Sequence, residues 1–139
     1  AGTMRSTIVE GKATLAAIAE KADFIIDQAN QGAQAVFNAA KEKGAYVFGS
    51  NAVQNSNESG VVIGSAVIVA KPAFLELAKE VKEKTYKGGI QLIGMDKGAI
   101  DFVINPDMTK LVPSELIAKI EQAKADIKLG KLTVPKDDF

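Results

Sequence analysis

Apolar and polar positions along this chain follow two rhythms, and the switches between them mark out a series of short elements. Residues 6–22, "STIVEGKATLAAIAEKA", are Ala-rich and set Leu15, Ile18, Ala19 and Ala22 at helical spacing, which predicts an amphipathic helix. The short apolar run "DFIIDQ" (23–28) predicts a strand. "QGAQAVFNAAKEKG" (31–44) returns to the helical period through Ala33, Val36, Phe37 and Ala40, with Gly44 as its stop. "AYVFGSN" (45–51) and "VVIGSAVIV" (61–69) predict two more strands. Pro72 then opens the helix "PAFLELAKEVKEKTY" (72–86), whose Phe74, Leu77, Ala78 and Val81 form one stripe.

The stretch "YKGGIQLIGMDKGAIDFVIN" (86–105) alternates twice, through Ile90 and Leu92 and again through Ile100, Phe102 and Ile104. Asp96-Lys97-Gly98 between the runs has the length and the glycine of a hairpin loop, so the stretch predicts a β-hairpin. Pro113-Ser114-Glu115 starts a final helix with Leu116, Ile120, Ala123 and Ile127 on one face and Gly130 at its end. Short strands alternating with helices predict an α/β layered fold with a largely parallel sheet and flanking helices, closed by a C-terminal hairpin and helix. The opening "AGTMRS" (1–6) reads as an expression scar, leaving residues 7–139 as a single lobe.

Composition narrows the chemistry. A chain of 139 residues is one domain's length. Its 17 basic and 17 acidic side chains cancel, which argues against nucleic acid as a partner, since that needs clustered Lys and Arg. With neither Cys nor His, thiol catalysis, Ser-His-Asp triads and the usual zinc sites are excluded, and no catalytic or metal-ligating residue is assigned. No cofactor is implied. The glycines of 86–98 lead into a strand rather than a helix N-terminus, so they do not form a phosphate cradle.

Polar residues gather instead at the predicted strand tips, where open α/β sheets bind ligands. Asp27-Gln28-Ala29-Asn30-Gln31 follows one strand, and Ser50-Asn51-Ala52-Val53-Gln54-Asn55 follows the next. Amides both donate and accept, which suits a neutral polar small molecule. Asn51 and Gln28 are the first candidate contacts, then Asn30, with Asp96 of the hairpin tip as a further one. The competing use of such residues is loop capping. A rival class is a flavodoxin-like enzyme or regulatory domain in which Asp27 acts on substrate or accepts a phosphoryl group. That reading calls for acidic neighbours and magnesium, and the sequence places only Asp23 nearby. A third reading is a lobe that assembles without binding any ligand.

The collinear set "GAYVFGSNAVQN", "GVVIGSAVI", "YKGGIQLIGMDKGAIDFVIN" and "LVPSELIAKIEQAKADIKLGKLTVP" resembles the C-terminal half of the basic membrane lipoprotein family, over roughly residues 7–135. The resemblance implies one lobe of a type I periplasmic-binding-protein fold. It also implies a substrate-binding lipoprotein of an ATP-binding-cassette importer, with a nucleoside or base as ligand, a permease as partner and an extracytoplasmic, membrane-anchored or periplasmic location. The family's usual acidic ligand contact corresponds to Asn51, and its Gly-rich tip to Asn30-Gln31-Gly32-Ala33. An N-terminal lobe outside these residues would then cover the stripe of Phe74, Leu77 and Val81, and without it a homodimer or swapped assembly is expected.

Overall fold

The computed structural model describes residues 3–29 and 32–135, with side chains from residue 9 onward. Four helices and four strands follow in the order α1 (Thr3–Ala19), β1 (Phe24–Ile26), α2 (Ala33–Lys43), β2 (Tyr46–Asn51), β3 (Val62–Ile68), α3 (Ala70–Lys82), β4 (Ile100–Ile104) and α4 (Ser114–Lys128). The helix α1 begins inside the hexapeptide that the sequence sets aside. Helix α2 ends where expected: Gly44 adopts the left-handed conformation (φ 71°) and its N–H reaches the Ala40 and Lys41 carbonyls. Helix α3 starts two residues before Pro72, because proline is tolerated anywhere in the first turn, where no intrahelical N–H bond is lost.

The strands lie in the order β1-β2-β3-β4. β1 pairs parallel with β2 (Phe24 opposite Tyr46, Ile26 opposite Phe48), and β2 pairs parallel with β3. β4 runs the other way. The Asn105 N–H donates to Ile63 O and the Val69 N–H to Ala99 O, so pairs further along β3 fall further back along β4. The sheet is thus mixed and mostly parallel, as the sequence predicts.

The predicted hairpin does not form. Residues 90–93 are not in a strand, and Asp96 and Lys97 lie in a 3-10 turn (Met95–Lys97) closed by Gly98. The physical reason is pairing: alternation alone leaves backbone N–H and C=O groups unbonded, and β4 takes β3 as its neighbour instead. Ile90 is left 80% exposed.

Two compact units make up the chain. The first holds residues 1–67 and 102–111, the second residues 68–101 and 112–139. In the first, Ala33, Val36, Phe37 and Ala40 of α2 pack on Val47, Val61 and Val62, with Ile18 of α1 and Ile25 of β1 at the margin. Strand alternation sends Phe24, Tyr46 and Phe48 to the opposite face, where the Phe24 and Phe48 rings stack at 6.0 Å and Phe102 lies 6.2 Å from Phe48. In the second unit neither α3 nor α4 contains a buried residue.

The link from β2 to β3 is short for a parallel crossover and carries no helix. Residues 52–61 must run back over the length of a strand, roughly 20 Å, as irregular chain whose polar backbone needs partners. Side chains provide them. The Gln54 N–H donates to Ser65 Oγ (3.0 Å), Ser65 Oγ donates to Asn55 Oδ1 (2.7 Å), and Asn105 Nδ2 donates to the Asn55 and Val62 carbonyls at 2.9 and 2.7 Å. Asn55, Ser65 and Asn105 are all buried.

Candidate functional site

The carboxyl ends of β1 and β2 lie side by side because the two strands pair in parallel register. The Asp27 N–H extends that pairing, donating to Phe48 O at 2.9 Å. This fixes Asp27 at the tip of β1, with exposed Gln28 beyond it. Asn51 is the last residue of β2, half-buried and in the left-handed conformation (φ 68°) that a short polar side chain tolerates best. Two predicted contacts, Gln28 and Asn51, therefore share one edge of the sheet.

The other predicted contacts fall elsewhere. Asn30 lies outside the described residues. Asp96 is exposed on the 3-10 turn of the second unit, on a groove of about 650 Å³ that Leu92, Ile100, Ile127, Leu132 and Val134 also line. Neighbouring Lys97 pairs with Glu76 at 3.4 Å. Gln54 and Asn55, part of the amide cluster at the β2 tip, are engaged in the crossover: the Gln54 amide oxygen accepts the Ser50 N–H at 2.8 Å and Asn55 holds Ser65. For these two, the loop-capping use applies.

A cavity of about 290 Å³ opens beside the tip of β1, lined by Glu10, Ala13 and Thr14 of α1, Ile25 to Ala29 of the β1 segment, and Val36 of α2. Asp27 is only 2% exposed there. Its Oδ1 accepts the Ala29 N–H at 3.0 Å, while its Oδ2 is buried with no hydrogen-bond partner. Burial pushes the Asp27 carboxyl above the usual carboxylate range; the Ala29 N–H and the Gln54 amide pull it back only in part. Glu10 Oε2 is likewise buried and unpartnered. Its carboxylate fills the space that a side chain at position 32 would need, which Gly32 leaves empty at the N-terminal cap of α2. The positive end of the helix dipole stabilises an acidic group in that place.

Glu10 and Thr14 went unseen in the sequence. The second acidic residue lining the Asp27 cavity comes from α1, and no local spacing signals a placement made by packing α1 on α2. Among the described residues no group of three or more acidic, His or Cys side chains gathers as a metal site, and no helix is long and apolar enough to cross a membrane.

This architecture is the one found in solute-binding proteins. The fold is similar to an ABC transporter system solute-binding protein from Aeropyrum pernix K1 (TM-score 0.69, 18% identity, covering 92% of this chain and 45% of that one). It is similar to another from Conexibacter woesei DSM 14684 (TM-score 0.58, 16% identity, 91% and 41% covered). A transcriptional activator of the comK gene from Bacillus halodurans shares it too (TM-score 0.71, 17% identity, 84% and 40% covered). The chain spans less than half the length of these structures. A comparison with curated proteins gives no match. The family pattern described as ABC transporter substrate-binding protein PnrA-like matches residues 1–138, and the chain belongs to that family. The family is one of substrate-binding transport proteins rather than enzymes.

Proposed function

We propose that this chain is a solute-binding lobe of an extracytoplasmic receptor for an ATP-binding-cassette importer, and that a small polar molecule binds along the carboxyl edge of β1 and β2. The observation that carries this reading is the placement of Gln28 and Asn51 at the ends of two paired parallel strands in a chain of this family. Such an edge is where α/β sheets take their ligands. Nucleosides and bases are the first ligands to test, because an exposed and a half-buried amide can each donate and accept towards a ring edge. Asn30 and Asp96 stay further candidate contacts, and cleft closure would be the motion of the whole two-lobed receptor.

The uncovered helices support the same reading. Phe74, Leu75 and Val81 of α3 and Leu116 of α4 are exposed, as a half-receptor's surface would be before a second lobe covers it. The permease and a membrane anchor belong to this reading as the partners of the whole receptor.

Native mass spectrometry with a panel of nucleosides and bases tests it. The expected result is a one-to-one complex on the folded chain that weakens about tenfold or more in Asn51→Ala, the loss of one well-placed hydrogen-bonding group. Absence of any complex, or one indifferent to Asn51→Ala, overturns it.

A further inference from the structure

Two residues that line the cavity beside β1 each keep one buried carboxylate oxygen without a hydrogen-bond partner, Asp27 Oδ2 and Glu10 Oε2, although the Gln54 amide also acts on the Asp27 carboxyl. They come from different elements, and both residues line the same space. A buried acceptor without a donor costs free energy, and a buried carboxylate without a counter-charge costs more. Native chains pair nearly all such groups, so an orphan of this kind calls for a partner.

The surroundings narrow that partner's chemistry. None of the described residues that line the cavity is basic. Thr14, its buried hydroxyl residue, already donates to the Glu10 carbonyl at 2.9 Å. A hard divalent ion takes six or more oxygen ligands, and the cavity supplies two carboxylates without a third acidic residue among the described ones. A volume of about 290 Å³ also far exceeds a bare ion and matches a small organic molecule. Ala13, Ile25, Ile26, Ala29 and Val36 give it apolar walls. Two orphan carboxylate acceptors beside a largely apolar pocket fit a small amphipathic cation, with an ammonium or guanidinium head and a short hydrocarbon body.

We infer that the solute bound at the tip of β1 carries a cationic amino or guanidino group, held between Asp27 and Glu10 with its apolar body against Ile25 and Val36. Gln28 lines the same cavity, so this subsite joins the strand-tip edge and rests on the solute-binding reading of that edge. Gly32 is part of the design: any side chain there would displace the Glu10 carboxylate from the pocket.

Isothermal titration of the full chain at neutral pH with agmatine and with n-butylammonium, against neutral n-butanol and adenosine, tests the inference. The expected result is saturable binding of at least one of the two cations and none of n-butanol. Asp27→Asn and Glu10→Gln should each weaken the binding by at least about tenfold, the usual scale for neutralising one partner of a buried charged contact. The thermal midpoint of each variant, read in the same buffer, shows that it is folded. No cation binding, equal binding of butanol, or binding unchanged in both variants overturns the inference. The two readings fail separately. Adenosine bound through Asn51 without any cation bound sinks the cationic subsite and leaves the strand-tip site standing. A cation bound through Asp27 without adenosine does the reverse for the nucleoside ligand, and no binding of either removes both.

Discussion

The two units of this chain contain helices of similar amphipathic pattern and treat them in opposite ways. In the first, α2 buries Ala33, Val36, Phe37, Ala39 and Ala40. In the second, α3 and α4 bury nothing, although the stripe Phe74, Leu77, Val81 of α3 is as apolar as that of α2. The pattern is enough to form a helix, whose backbone bonds are local. Burial needs a neighbour, and the sequence of a helix does not say whether one is present. Most of the stability of a helix comes from that packing, so the first unit should carry the cooperative stability of the chain.

The largest expected effect tests this division directly. Phe37 is 0% exposed in the core of the first unit, and Phe74 is 69% exposed on α3. Phe37→Ala should cost about 3–5 kcal/mol through lost transfer energy and the cavity left behind. The same truncation at Phe74 should stay within about 0.5 kcal/mol. Urea unfolding of the two variants gives both values. If Phe74→Ala costs as much as Phe37→Ala, the α3 face is covered in solution, and sedimentation would show whether a second copy covers it.

The same contrast explains how much was legible in the sequence. Helix and strand order followed from periodicity, and the α2 stop from Gly44, because those signals are local. The failed hairpin had the right alternation and the right loop, but strand formation at 90–93 needed a neighbouring strand that β3 supplied to β4 instead. At the candidate site, the predicted strand ends are where the sequence put them, with Gln28 just beyond β1 and Asn51 closing β2. Gln54 and Asn55 looked equally suitable, yet a ten-residue crossover without a helix consumed them, and nothing in "QNSNESG" distinguishes a capping amide from a binding one. Glu10 was invisible because its place in the cavity beside the β1 tip comes from tertiary packing.

A smaller effect, peculiar to the first unit, follows from its buried charge. Asp27 has its carboxyl raised above the ordinary value of 3.8, mainly by burial. A raised pKa means that the folded state holds the proton more tightly than the unfolded state does. The group therefore contributes stability below pH 3.8, and that contribution is lost as pH rises through the raised folded-state value. Asp27→Asn abolishes the titration while keeping an oxygen for the Ala29 N–H. In the absence of ligand, the variant should be no more stable than the native chain in acid and more stable at neutral pH, with the gap opening across that window. Thermal unfolding from acid to neutral pH measures it. A variant less stable at every pH would show that the carboxylate is satisfied in solution. Two ion pairs of the second unit are more exposed: Lys97–Glu76 and Lys119–Glu115 leave all four side chains at least 40% accessible, so these two should add nothing comparable over this range.

The smallest effect compares two positions that are nearly identical locally. Gly44 follows α2 and Gly130 follows α4, with φ of 71° and 69°, and a Cβ at either would meet no atom within 4 Å. An alanine at each pays the same backbone strain, about 1 kcal/mol, and no steric penalty. Any difference between Gly44→Ala and Gly130→Ala therefore reports how each helix is coupled to the rest of the chain. Helix α2 is buried in the main core, so Gly44→Ala should lower the global unfolding free energy by the full amount. Helix α4 buries nothing, so Gly130→Ala should instead shorten the helix by fraying, seen as faster amide exchange over residues 125–130 with little change in the urea midpoint. Equal losses of global stability would place α4 in the same cooperative unit as α2, and the exposed face of the second unit would then have to be covered when the chain is in solution.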